Sequence, residues 1–246
     1  MTLAAEEIKA CCAAAYSSPA ARFLLGDSFH PGGAALTTQL GRALEVGPGN
    51  VVVDVACGPG TSAYQLARES GCDVIGVDLA PPSVSSDRRV RFVCGDAEAL
   101  PLDDRSVDGV LCECALCTFP NKHAAAGEFA RVLRPGACLA LSDLTARPAR
   151  LPASLASLQA WVACIADARP LDEIAALLGQ AGLVVEQTQA RDHALADLLD
   201  RVEARLQVAA MLAAGVVVDA RGLLGDARDA LAAGALGYGV VIARRP

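Results

Sequence analysis

Residues 50–63, NVVVDVACGPGTSA, decide the fold. Val51, Val52, Val53 and Val55 form a β-branched run of the kind that a strand buried on both faces requires, with Asp54 inside it and Gly58 and Gly60 directly after. The order is strand, glycine turn, helix start. A turn that brings backbone against a ligand needs residues without a Cβ, which Gly58 and Gly60 supply, and Pro59 stiffens the loop between them. Such a unit opens an α/β domain.

The chain of 246 residues suits a single domain with additions and is long enough for a full core. It carries 21 basic and 28 acidic residues, without a basic cluster on any expected helix, which argues against nucleic acid as a substrate. The start, MTLAAEEIKA, has no basic segment followed by an apolar core, and no apolar run is long enough to span a bilayer. The expectation is a cytoplasmic protein with no membrane partner, its oligomeric state left open. In that compartment the ten cysteines are thiols rather than a disulfide framework. Cys72, Cys94 and Cys138, in or beside expected strands, read as small core hydrophobes.

Taken in order, residues 6–15 and 20–25 read as short helices joined at Tyr16 by a Ser-Ser-Pro turn. Residues 24–33, LLGDSFHPGG, read as a loop forming part of a lid. Helices are expected over 34–44, 62–70 and 122–133, and strands over 72–78, 91–94, 106–111 and 137–144. After residue 145 two prolines break the chain, and helices over 154–166 and 171–181 read as a lid insertion. A strand over 183–191, a long helix over 194–214 and a terminal strand over 235–244 complete the chain.

Gly58, Gly60 and Ala63 satisfy the dinucleotide pattern G-x-G-x-x-G/A, which keeps a nicotinamide or flavin enzyme as one reading. Asp54 points elsewhere, because an acid before the glycines and at the strand end attracts a cationic ligand. D-x-A-C-G-P-G, residues 54–60, resembles motif I of the class I S-adenosylmethionine-dependent methyltransferases. Asp78 follows Asp54 by 24 positions, at the end of the next strand, where an acid can accept both ribose hydroxyls. G-D-A-x-x-L-P, residues 95–101, is similar to the family motif in which the acid meets the adenine amino group and the next amide meets the ring, roles that fall on Asp96 and Ala97. V-L-R-P-G, residues 132–136, is a further hallmark. The resemblance covers roughly residues 40–145. It implies a Rossmann-like, seven-stranded, mostly parallel sheet whose last strand is antiparallel, with helices on both faces. An N-terminal helical cap over 1–45, a cofactor-binding core over 46–145, lid helices over 146–181 and a C-terminal part of the sheet with a helical insertion over 182–246 would then form one methyltransferase domain. It implies S-adenosyl-L-methionine as cofactor, and Ala56, Cys57, Gly58, Gly60, Leu79, Glu113 and Tyr16 join the three acids and Ala97 as its candidate contacts.

Within that class, residues 111–144 are similar to the arsenite methyltransferase family, with Cys114 in the position of its strand-end cysteine and N-K before the helix. W-V-A-C-I-A-D-A, residues 161–168, is similar to that family's second signature, with Cys164 as the cysteine and Asp167 in place of glycine. Trivalent arsenic is thiophilic, so Cys114 and Cys164 are candidate metalloid ligands and catalytic residues. Ala63 stands where the family often has a further cysteine, which leaves Cys11, Cys12 and Cys117 as candidate third donors. Glu113 replaces the family's asparagine and is a candidate general base, with His30 as a second. The implied activity is methyl transfer to a small acceptor, arsenite or another thiol-bound metalloid. Two alternatives stand beside it: a small-molecule O-, N- or C-methyltransferase using Glu113 or His30, and a non-catalytic metalloid sensor that keeps the cofactor pocket.

Overall fold

The computed structural model describes residues 5–26, 28–156, 165–212 and 218–246. Two helices, α1 (Ala5–Tyr16) and α2 (Pro19–Leu25), precede α3 (Gly33–Ala43) and the first strand. Then follow β1 (Val51–Val55), α4 (Thr61–Ser70), β2 (Asp73–Asp78), β3 (Val90–Cys94), β4 (Val107–Glu113), α5 (Lys122–Val132) and β5 (Leu133–Ala146). The C-terminal part comprises α6 (Leu171–Gln180), β6 (Val184–Ala190), α7 (Asp192–Leu212), α8 (Val218–Ala232) and β7 (Leu236–Arg244).

The seven strands form one sheet in the order β3-β2-β1-β4-β5-β7-β6, parallel except for β7, which runs antiparallel to both of its neighbours. The strand order reverses between β1 and β4, and in an open α/β sheet that crevice, beyond the carboxyl ends of the strands, is where ligands bind. Val52, Val53 and Val55 are fully buried because helices cover both faces. Leu36, Leu40 and Leu66 of α3 and α4 pack on one face together with Leu195 and Leu199 of α7. Ala125, Phe129, Ile174 and Leu178 of α5 and α6 pack on the other. No described helix is long and apolar enough to cross a membrane.

Several details differ from the expectations. The helix expected over 122–133 ends at Val132, but β5 begins at Leu133 rather than at residue 137 and takes in Arg134-Pro135-Gly136, and its register jumps from Leu133, opposite Val107, to Cys138, opposite Gly109. Pro135 has no N–H for the ladder and Gly136 takes φ 81°, so the stretch bulges out of the pairing. Cys94 is exposed, contrary to its expected core role, because β3 is an edge strand and Cys94 ends it. Cys72 and Cys138 are buried as expected. Of the helix expected over 154–166, residues 157–164 lie outside the described residues, residues 153–156 form a 3₁₀ turn, and Ala166 lies in a turn. The stretch before β7 holds a helix that the sequence reading did not delimit, α8.

Candidate functional site

Ala56 closes β1 in the left-handed conformation, φ 56°, and Gly58 and Gly60 follow at φ 51° and 80°. The two glycines serve different needs. A Cβ on Gly58 would meet nothing within 4 Å, whereas one on Gly60 would collide with the ring of Phe92. Gly58 therefore faces open space and Gly60 is an internal packing requirement at the start of α4.

That open space is a pocket of about 480 Å³ beyond the ends of β1, β2 and β4. Asp54, Ala56, Cys57, Gly58, Asp78, Leu79, Asp96, Ala97, Glu113, Cys114 and Tyr16, all candidates from the sequence, line it together. Gly60 is not part of the lining, for the packing reason just given. His30 lines the same pocket. Among the candidate third thiols, Cys12 reaches the lining, Cys11 is exposed on the outer side of α1, and Cys117 is buried away from it. Cys164 lies outside the described residues.

The floor is acidic. Asp54 is 2% exposed, and its Oδ2 has no hydrogen-bond partner among the described residues. Burial, and then the charges of Glu113 and Asp78, push its carboxyl well above the usual carboxylate range, against a lowering hydrogen bond from the Ala63 amide. Burial, followed by the charges of Asp54 and Asp78, likewise pushes the Cys57 thiol up. Cys112 is pushed up by burial and by the nearby acids, led by Asp143. Neither thiol is suited to hold a thiophilic centre as thiolate.

Asp78 ties the glycine loop to β2. Its Oδ2 accepts the Gly58 N–H at 2.9 Å and its Oδ1 accepts the Ala80 N–H at 2.8 Å. Asp96 accepts the Glu98 N–H on Oδ1 and the Lys9 ammonium on Oδ2, at 2.9 and 2.6 Å. Lys9 also donates to Glu98 Oε2 at 2.7 Å, so α1 is pinned over the pocket by one lysine between two carboxylates. Burial opposes the charge on Lys9, yet its hydrogen bonds to Asp96 and Glu98 prevail and hold its pKa above the ordinary lysine value.

At the far side, Glu113 ends β4 almost fully buried, its side chain 4% exposed. The Thr37 hydroxyl donates to its Oε1 at 3.0 Å, and His30 Nε2 stands 3.6 Å from Oε2. The other ring nitrogen of His30, Nδ1, faces the Pro31 carbonyl at 3.1 Å, so both ring nitrogens face acceptors. His30, the second candidate base, is 5% exposed despite its place in the 24–33 loop. Cys114 follows at φ 54°, its N–H donating to the Ser142 carbonyl of β5 at 2.7 Å. Beyond it, Lys122 Nζ donates to the carbonyls of Cys117 and Phe119 and to Asp167 Oδ2. The lysine of N-K and the aspartate that stands in for glycine are thus partners in one buried strut. Among the described residues no three histidine, cysteine or acidic side chains converge on a metal site.

Lys9 and Thr37 are not among the candidates from the sequence. Thr37 carried a signal, a hydroxyl on the face of α3 that also holds Leu36 and Leu40, whereas Lys9 carried none.

Residues 53–141 match the model of a methyltransferase domain. The chain is 32% identical over 194 residues to methyltransferase GfsG of Streptomyces halstedii, covering 71% of this chain and 69% of that protein. It is 32% identical over 158 residues to an arsenite methyltransferase of Halobacterium salinarum, covering 59% of this chain but only 40% of that longer protein. Among solved structures, a geranyl diphosphate methyltransferase in complex with GPP and sinefungin superposes with TM-score 0.78 at 18% identity, over 97% of this chain and 100% of that one. The chain belongs to the class I S-adenosylmethionine-dependent methyltransferases.

Proposed function

We propose that this chain transfers the sulfonium methyl group of S-adenosylmethionine to a nucleophilic atom of a small organic molecule. The observation that carries the proposal is the buried Glu113–Thr37–His30 cluster, which opens on the same pocket as Asp54, Asp78 and Asp96. The residues present fit the cofactor. Asp54 offers a buried oxygen without a partner among the described residues, and the carboxylates around it await a cationic ligand. Gly58 leaves room where a side chain would intrude.

When bound, the cofactor supplies a methyl group already activated for in-line attack, so most of the catalysis is positioning. In this reading Asp54 takes the ammonium, and Asp78 uses its remaining lone pairs for the ribose hydroxyls. Asp96 and the Ala97 amide meet the adenine. Ala56, Cys57 and Gly58 line the methionine end, and Leu79 and Tyr16 wall the site. Glu113, oriented by Thr37 and His30, accepts the proton of the acceptor's hydroxyl or amine. The acidic net charge of −7 supports a small acceptor over nucleic acid, and a cytoplasmic setting belongs to the same proposal.

Calorimetric titration tests the donor site. Each charge-assisted bond lost is worth about tenfold or more, so Asp78→Ala weakens S-adenosylmethionine binding at least that much. Unchanged affinity would remove Asp78 from the site. A second reading, arsenite as acceptor, is favoured by Cys114, which lines the pocket along with Cys12, and by the similarity to the arsenite enzyme. Release of S-adenosylhomocysteine on adding arsenite and glutathione, lost in Cys114→Ser, would select it. No release from an enzyme that still binds the methyl donor would leave the organic acceptor.

A further inference from the structure

A second cavity, of about 300 Å³, lies beside the first. Its walls come from elements distant in sequence: Leu24 of α2, Leu144 of β5, Leu198 of α7, and Leu224 and Ala227 of α8. Every described residue lining it is apolar apart from the hydroxyl of Tyr16 and the sulfur of Cys114. Protein interiors close to near-crystalline density and keep few voids larger than one water. Among the described residues, packing alone does not explain a leucine-lined space of this size. It is of the volume and character of a small-molecule site.

The two cavities meet. Tyr16, Phe29 and Cys114 line both, and Glu113, adjacent in sequence to Cys114, lines the first. On one side of that junction stand the acids, with Lys9 and Arg22, and on the other stands hydrocarbon. A molecule spanning the junction from the apolar side would bring one end to Glu113 and bury the rest among leucines. A charged group on the buried end would find no counter-charge on the described lining and would bear the full cost of desolvation.

We propose that this second cavity seats the body of the methyl acceptor, and that the acceptor is a neutral, largely apolar ring system or branched chain bearing its nucleophilic group at the end facing Cys114 and Glu113. The inference rests on the reading of the first pocket as the methyl-donor site. A metalloid oxyanion would leave the whole leucine-lined space unused.

The test uses the intact chain and the neutral fluorophore phenylnaphthylamine, whose emission rises in an apolar site. It binds saturably, one molecule per chain. Ala21→Phe on α2 and Ala227→Phe on α8 each fill part of the cavity and raise its dissociation constant about tenfold, the equivalent of a modest overpacking cost. Affinity for S-adenosylmethionine stays within about twofold, as for substitutions at separate sites. Unchanged fluorophore binding in both variants, or no saturable binding to the wild type, would overturn the proposal. Failure of the wild type to bind S-adenosylmethionine while it binds the fluorophore would overturn the methyl-donor reading instead and leave an apolar binding cavity.

Discussion

Asp54 concentrates the chemistry of the pocket in one side chain. It is placed by the valine run of β1, whose burial on both faces carries the carboxyl into the interior. With Glu113 and Asp78 nearby and one oxygen unpartnered among the described residues, the ligand-free protein holds the Asp54 proton well above the usual range. An unfolded aspartate loses that proton at about pH 3.9. Above that pH the native state binds more protons than the unfolded one, so this group's contribution to stability falls as pH rises through the native value. We predict that Asp54→Asn removes the loss. The variant should match wild type below about pH 4 and then gain on it by up to about 1.4 kcal/mol per pH unit, until native Asp54 itself ionises. Thermal denaturation across pH without cofactor measures the difference, in which other groups, such as the depressed Asp108 beside Arg134, cancel. Parallel curves would show that Asp54 is not held protonated.

At the scale of elements, α1 is the exposed cover of the donor pocket. Only Ile8 and Cys12 of its described residues are buried, so apolar packing holds it weakly, and Lys9, bridging Asp96 and Glu98, ties it to the pocket rim. Glu98 in turn accepts the Asn121 N–H at the start of α5, which links the cover to the scaffold. Lys9→Met should lower amide-exchange protection in α1 about tenfold or more, the consequence of removing charge-assisted bonds from a marginal element. Hydrogen–deuterium exchange over residues 5–16 reads it, and unchanged protection would mean that contacts other than those of Lys9 hold the helix. This tie also shows where a sequence stops being legible. The valine run, the glycine turn and the acids at strand ends are local patterns with local causes, and the seven strands and the pocket's acids lie where those patterns indicate. Lys9 meets its partners across 87 and 89 residues, and nothing in AEEIKACC distinguishes it from a solvated lysine. His30 was a candidate base from the sequence, but its burial was not legible there, because that depends on α3 bringing Thr37 against the end of β4. The bulge at Pro135 was not legible, because proline and glycine mark a break without saying which element contains it.

For the molecule as a whole, the donor pocket is a joint between parts that the chain makes far apart. The cover comes from α1, the loops from the ends of β1, β2 and β4, and the apolar cavity from α2, α7 and α8. A ligand that touches several of these parts adds its binding free energy to the folded state alone. At a concentration one hundred times its dissociation constant that addition is about 2.7 kcal/mol. For a chain of this length each kcal/mol raises the melting temperature by about 2–4 °C, so S-adenosylmethionine should raise it by about 5–10 °C. The same concentration should give Asp78→Ala about half that shift or less, because a tenfold lower affinity leaves about 1.4 kcal/mol, while the loop contacts of Asp78 with Gly58 and Ala80 are lost with and without ligand. Because Tyr16, Phe29 and Cys114 face both cavities, an apolar ligand added together with the cofactor should not give the simple sum of the two separate shifts. Differential scanning fluorimetry with each ligand and with both measures all three quantities. A strictly additive pair would mean that the cavities are occupied independently, and that the junction at Cys114 does not join donor to acceptor.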